Sequence, residues 1–222
     1  MGSQPFLKVN LKGERFMNEY MPYDLVLHAA ASQPYHTYCT VWDSKYAEDC
    51  EHFATHGCSR LYPHVNGTNP VFPMDYVQAM NADLQDQGYI VEADTIEELA
   101  DKLGLPKETF TATVDHYNEL AAKGEDEDYG KENYRLSTLS EAPFYGVRQA
   151  GGYLICTIDG IQIDDNMHAI DQDFKAIPGL YVIGDMSGNY FSGSYPSLMA
   201  GAAAGRSATF GRLAGQNAAA GI

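Results

Sequence analysis

The sequence lacks the pattern G-x-G-x-x-G and has only four cysteines. Its four cysteines form no C-x-x-C pair, their spacings fit no zinc or haem pattern, and we interpret them as ordinary thiols. The histidine pair His52 and His56 has no HExxH context. No apolar run is long enough to span a bilayer. We therefore predict neither a metal site nor a membrane span.

Positive charge is also scarce. Lys and Arg number 14 against 30 Asp and Glu, which gives a formal net charge of -16 over 222 residues. A surface this acidic argues against binding to nucleic acid or to an anionic membrane. An apolar fraction of 45% is enough for one large domain or two modest ones with a hydrophobic core.

The first half of the chain contains two predicted strands, at 6–11 and 36–43. Between them, RFMNEYMPYD is polar and aromatic together, which is typical of a loop that faces a cleft. Residues 44–90 read as irregular, because several prolines interrupt them.

Two helices are predicted next. Thr95 and Glu98 form a capping box, and Gly104 is typical of a helix end. Pro106 suits the first position of the second helix, which Gly124 ends. One apolar stripe runs along it: Phe110, Val114, Tyr117 and Ala121. We interpret the acidic residues of 92–132 as a solvated helical surface and not as a site.

Strands return at 141–165, with glycines at the turns. Leu180–Ile183 is continuously apolar between two glycines, which predicts a strand buried on both faces, as in a parallel sheet. From about 197 to 215 the chain is rich in small residues, which let a helix approach a sheet or a ligand closely.

The stretch GDMSGNYFSGSYPSLMAGAAAGR at 184–206 joins that strand to that helix. A helix N-terminus offers unpaired N–H groups, Asp185 can accept hydrogen bonds from sugar-like hydroxyls, and the glycines allow close approach of a ligand. The same pattern also suits a tight connection that packs only on itself, and both interpretations stay open at this point.

Tyr23 and Tyr195 each lie beside a proline. A neutral phenol can donate a proton or polarise a carbonyl group. The chain has 16 tyrosines, so packing is the alternative role for either of them.

Three parts of the chain carry a family resemblance. They are VNLKGERFMNEYMPYD at 9–24, TIEELADKLGLPKETFTATVDHYNELAAKGEDEDYGK at 95–131 with APFYGV at 142–147, and IPGLYVIGDMSG at 177–188 with SYPSLMAGAAAGRSATFGRLAG at 194–215. In this order they resemble the C-terminal portion of the FAD-dependent fumarate reductase / 3-ketosteroid dehydrogenase superfamily.

The resemblance implies an α+β fold. It places a capping domain at 1–150, and at 151–222 the C-terminal strand–helix segment of a Rossmann-like FAD-binding domain. It implies that Gly184 and Asp185 hold the ribitol of FAD, and that the helix after Pro196 meets the pyrimidine edge of the flavin. The helix-start residues implied to bind FAD are Ser197, Leu198 and Met199.

A missing N-terminal FAD-domain segment, or a partner chain, would then carry the absent glycine pattern. The cellular compartment is undecided for the same reason. We expect a cytoplasmic protein by default, or an exported one if a missing N-terminus carries a signal.

The resemblance favours the ketosteroid branch of the superfamily. Where fumarate reductases carry arginine, histidine and arginine, this chain has Tyr23, Cys156 and Leu198, and a dicarboxylate needs fixed cations. The ketosteroid branch has tyrosines where this chain has Tyr23 and Tyr195, and by resemblance they are the catalytic residues. Cys156 and Gly201 are implied to contact the substrate.

The predicted function is transfer of a hydride between FAD and a neutral enone or ketosteroid-like substrate. Two alternatives remain. One is a fumarate-reductase-like dicarboxylate reductase, and the other is a non-catalytic fragment or subunit of a split flavoenzyme.

Overall fold

The computed structural model describes residues 2, 4–21, 23–53, 73–150, 159–191, 199 and 201–222, with the side chains of residues 23 and 24 excepted. The chain divides into two compact units, residues 1–152 and 153–222. Both strands and helices occur, so the predicted mixed fold is confirmed at that level. The identity of the units as capping domain and FAD-domain segment stays a prediction.

The first unit is built on a four-stranded antiparallel sheet. Its strands are β1 (Lys8–Asn10), β2 (Thr37–Trp42), β3 (Ile90–Ala93) and β4 (Phe144–Ala150). Their order is β1-β2-β4-β3, and Trp42 of β2 lies opposite Tyr145 of β4. The predicted strands at 6–11 and 36–43 are confirmed, although each is shorter at its ends than predicted.

Five helices of this unit lie in the part of the chain that the structure describes: α1 (Tyr23–Ala31), α2 (Tyr46–His52), α3 (Met74–Asp86), α4 (Ile96–Leu103) and α5 (Lys107–Lys123). The predictions of a loop through Tyr23 and of an irregular stretch at 44–90 were therefore wrong in part. The helix α3 begins after Pro73 without a side-chain cap and buries Val77 in a core cluster with Trp42 and Phe53. Because no side chain caps its start, packing on distant residues is what stabilises α3.

The capping signals of α4 and α5 are largely confirmed. The Thr95 hydroxyl accepts a hydrogen bond from the Glu98 N–H, while the Glu98 carboxylate accepts one from the Asp94 N–H. Gly104 and Gly124 end the two helices in the left-handed conformation. Pro106, however, precedes α5 as its N-cap, so it is not the first helical residue as predicted.

The buried stripe of α5 differs in one residue from the prediction. Phe110, Val114 and Tyr117 are buried as expected, whereas Leu120 takes the last buried place and Ala121 is only partly covered. The stripe packs in the main core with residues of α4 and of β1 and β2, and so joins the helices to the sheet.

The second unit has a different architecture. Its strands β5 (His168–Ile170) and β6 (Ala176–Tyr181) form an antiparallel pair, and the helix α6 (Ala202–Ala220) follows. The prediction of a parallel strand buried on both faces was wrong. Leu180 is 46% and Ile183 40% exposed, and only Val182 is buried at 6%. Within the described part of the chain β6 pairs with β5 alone, so its apolar side chains are uncovered.

No helix in the described part of the chain is both long and apolar enough to cross a lipid bilayer.

We predict that Thr95→Ala lowers the unfolding free energy by about 1 kcal/mol, because the Glu98 N–H loses its acceptor at the start of α4. Urea unfolding followed by the fluorescence of Trp42, the one tryptophan of the chain, measures this effect within the first unit. Thr109→Ala, at an exposed position of α5, is the matched control. Equal effects of the two substitutions would contradict the capping role.

Candidate functional site

The site predicted around Gly184 and Asp185 is a short turn directly after β6. Ile183 is extended, and Gly184–Met186 form one turn of 3₁₀ helix. Gly184 has a φ of 65°, in the left-handed region that favours glycine. A Cβ at this position would meet the Ser207 hydroxyl at 3.5 Å, which is ordinary contact, so the backbone conformation is what requires glycine here.

The Arg206 side chain holds this turn from the second turn of α6. Its Nη2 donates to the Gly184 carbonyl at 2.7 Å and to Asp185 Oδ1 at 3.2 Å. Its Nη1 donates to the Ser187 carbonyl at 3.4 Å. The Arg206 side chain is only 2% exposed, whereas that of Asp185 is 68% exposed. The turn therefore contacts the buried guanidinium of Arg206 on one side and presents the exposed carboxylate of Asp185 to solvent.

The Gly184 carbonyl oxygen is the centre of this arrangement. Besides Arg206, Ser187 donates to it twice, through its N–H at 3.1 Å and through its hydroxyl at 2.8 Å. Three donors on one oxygen fix the direction of the peptide group that leads into Asp185.

Sequence reasoning missed both Arg206 and Ser187. One signal was present: Arg206 is the only charged residue between Ser197 and Phe210. A lone arginine among small residues of a helix that packs closely indicates a specific partner, although it does not tell which one.

The N-terminus of α6 lies later in the chain than predicted. The helix begins at Ala202, and not directly after Pro196. Gly201 is the N-cap with a φ of 85°, a left-handed conformation that does not continue a helix, and no side chain caps the helix start. Met199 is 63% exposed. The predicted site residues Met199 and Gly201 therefore lie just before the first turn of α6.

The remaining predicted site residues are not available for comparison. Tyr195, Ser197, Leu198 and Cys156 lie outside the described residues, and so does the side chain of Tyr23. The backbone of Tyr23 begins α1. Among the predicted site residues, Gly184 and Asp185 therefore lie in one described turn, and the roles of the two tyrosines stay predictions.

A buried ionic network lies in the first unit, in the segment that leads to Tyr23. The Arg15 guanidinium binds both oxygens of Asp126 at 2.7 Å and binds Glu19 at 2.8 and 3.0 Å. Lys131 Nζ lies 2.9 Å from Glu19 Oε2 and 2.6 Å from the Tyr117 hydroxyl. Since Asp126 and Lys131 are buried here, the interpretation of 92–132 as solvated surface holds only in part.

Burial acts against the charge of Glu19, but Lys131 and Arg15 more than offset it and lower the pKa of this carboxyl. Glu19 is therefore ionised and fixed by two cations. It lies four residues before Tyr23, so the chain enters α1 from a fixed anchor.

Lys8 lies beside this network, but for its ammonium group the effect of burial on the pKa exceeds the effect of the neighbouring charges. Its ammonium group donates to the carbonyls of Gln4 at 2.8 Å and Phe6 at 3.4 Å. Burial lowers the pKa of Lys8 to about 7, which the nearby negative charge of Glu19 only partly counteracts.

Comparison with protein families decides the family. A family model described as "FAD binding domain" matches residues 4–198. The chain belongs to this family. The predicted cofactor, FAD, is confirmed by this match.

The chain is similar to curated enzymes of the predicted superfamily. It is 33% identical over 93% of its length to a 3-oxosteroid 1-dehydrogenase of Mycobacterium tuberculosis. It is 29% identical over 98% of its length to a vinyl phenol reductase of Lactiplantibacillus plantarum. The chain spans 37% and 43% of the lengths of these two relatives.

Its fold matches a solved structure from the same superfamily. A 3-ketosteroid delta1-dehydrogenase of Sterolibacterium denitrificans aligns with a TM-score of 0.74 and 24% identity, over 99% of this chain and 39% of that one. The predicted resemblance to the flavoprotein superfamily of fumarate reductases and ketosteroid dehydrogenases is confirmed by the family match and by the 33% identical relative.

The residues of the Gly184–Ser187 turn fit the flavin half of FAD. The exposed Asp185 carboxylate can accept hydrogen bonds from ribityl hydroxyls. The uncapped N-terminus of α6 can donate N–H groups to a carbonyl or an anionic edge. Exposed Met186 and Met199 offer apolar contact for a flat ring.

We predict that the unfolding free energy of the first unit rises between pH 7 and 8.5 through Lys8. The folded pKa is about 7 and the ordinary value is 10.5, so the unfolded state holds more protons in this interval. The expected contribution is roughly 1.5 kcal/mol over the interval.

Urea unfolding followed by Trp42 fluorescence at both pH values tests this prediction. The pH-dependent rise should shrink in Lys8→Met and persist in the control Lys12→Met, whose lysine is exposed. An unchanged rise in Lys8→Met would show that Lys8 does not lose its proton in the folded protein.

Proposed function

We propose that this chain is part of an FAD-dependent oxidoreductase that acts on a CH–CH bond of a neutral enone or ketosteroid-like substrate. One observation carries the proposal: the 33% identity, over 93% of the chain, to a protein named 3-oxosteroid 1-dehydrogenase. The exposed carboxylate and uncapped helix start of the second unit are consistent with it.

Residues 151–222 act in this proposal as the C-terminal segment of the FAD-binding domain. Asp185 binds ribityl hydroxyls, while Ser197, Leu198 and Met199 meet the pyrimidine edge of the flavin. When bound, the flavin supplies the hydride acceptor or donor. The dinucleotide turn that the chain lacks comes from a further FAD-domain segment or from a partner chain.

Residues 1–150 act as the capping domain, in which the Tyr23 hydroxyl exchanges a proton next to the reacting carbon. In residues 151–222, Tyr195 and the Gly201 N–H hold the substrate carbonyl, and Cys156 lines the substrate site. A tyrosine hydroxyl is both a hydrogen-bond donor and an acceptor, which suits both of these roles.

The sequence of this chain favours a neutral substrate. By the resemblance, it has Tyr23 and Leu198 where the dicarboxylate branch carries arginines. A carboxylate substrate needs such fixed cations, so the dicarboxylate alternative loses support.

We predict that Tyr195→Phe, in the FAD-loaded enzyme that contains this chain, lowers kcat at least tenfold and changes the Kd for FAD less than about twofold. The phenylalanine keeps the ring but cannot donate to the carbonyl oxygen in the transition state. Steady-state kinetics with an enone and flavin titration measure the two quantities.

Tyr89→Phe is the control, because Tyr89 is 63% exposed in the first unit. Equal losses of kcat and of FAD affinity in Tyr195→Phe would contradict its catalytic role. Reduction of fumarate in preference to the enone would instead support the dicarboxylate alternative.

A further inference from the structure

We propose that Arg206 is a positioning residue of the flavin site, which holds the Gly184–Ser187 turn and thereby orients the Asp185 carboxylate toward the cofactor. This inference rests on the proposed function, because Asp185 is assigned to FAD there. The Arg206 side chain itself need not contact the flavin.

The direction of the Arg206 contacts is the first argument. The three oxygens that accept hydrogen bonds from Arg206 all belong to one four-residue turn. They are the Gly184 carbonyl, the Ser187 carbonyl and Asp185 Oδ1. Two nitrogens of the planar guanidinium reach three oxygens, which a lysine ammonium cannot reproduce with the same geometry. The contacts therefore fix the turn relative to α6.

Aromatic rings also contact the guanidinium. Its central carbon lies 4.7 Å from the ring centroid of Phe191 and 5.2 Å from that of Tyr190. Tyr190 in turn meets Phe210 of α6 edge-on, with ring centroids 5.9 Å apart. These cation–π contacts add to the hydrogen bonds that hold the Arg206 side chain at the turn.

The burial of Arg206 is the third argument. Its Nε is buried and has no hydrogen-bond partner among the residues that the structure describes. A buried guanidinium with an unsatisfied nitrogen contributes little to stability compared with an apolar side chain of similar size. A role in shaping the turn explains why a charge occupies this position between a glycine-rich turn and an alanine-rich helix.

The link to the cofactor runs through Asp185. Arg206 approaches Oδ1 at 3.2 Å, yet the Asp185 side chain remains 68% exposed. Arg206 therefore orients the Asp185 carboxylate from the buried side, while the exposed side of the carboxylate stays accessible to ligand hydroxyls.

The first experiment measures the turn without flavin. Hydrogen exchange of the Ser187 N–H, which donates to the Gly184 carbonyl, should be about tenfold faster in Arg206→Met, because the carbonyl loses its Arg206 contact. Arg206→Lys should give an intermediate rate. Arg212→Met, at an exposed position of the same helix, should leave the rate unchanged.

The second experiment measures FAD affinity in a double-mutant cycle. In the enzyme that contains this chain, Arg206→Met should weaken FAD binding about tenfold, but less than about twofold in an Asp185→Asn background, because the two side chains act together. Arg206→Lys should recover part of the affinity. A residue with a purely structural role would give additive effects.

The outcomes separate this inference from the proposed function. Unchanged exchange in both Arg206 variants, or additive effects on FAD affinity, would overturn the positioning role. Absence of FAD binding by the unsubstituted enzyme that contains this chain would count against the flavin site and against the link between Arg206 and the cofactor. The exchange rates would still decide whether Arg206 holds the turn.

Discussion

The hydrogen bond from Arg206 to the Gly184 carbonyl is the interaction on which the candidate site depends. It joins the end of β6 to α6, two elements that are separated by 20 residues and have small or exposed side chains. The left-handed conformation of Gly184 lets its carbonyl face Arg206 and Ser187 together. Asp185 follows directly, so its direction is set by the same peptide group.

The first unit uses buried charge in a related way. Arg15, Glu19, Asp126 and Lys131 connect the segment before α1 to the loop after α5, more than 100 residues away along the chain. Hydrogen bonds between charged groups specify direction as well as distance, whereas apolar packing specifies mainly shape. In both units, ionic contacts therefore hold the segments that carry predicted functional residues.

Local signals were sufficient for some elements of the fold and not for others. The capping contact of Thr95 with Glu98 and the helix ends at Gly104 and Gly124 depend on neighbouring residues, and the sequence predicted them. The helix α3 depends on burial of Val77 against Trp42 and Phe53, which no local pattern shows. The apolar run after Gly179 predicted burial, but burial depends on which elements cover a strand, and Leu180 is exposed.

The same distinction applies to the candidate site. Gly184 and Asp185 were predictable because a glycine and an acid after an apolar strand form a local pattern. Arg206 was not, because its partners lie about 20 residues earlier in the chain. The most direct test of the flavin site is the visible spectrum, after addition of FAD and gel filtration, of the enzyme that contains this chain. Flavin absorbance should elute with the enzyme and fall in Asp185→Asn; flavin retention that Asp185→Asn leaves unchanged would contradict the account.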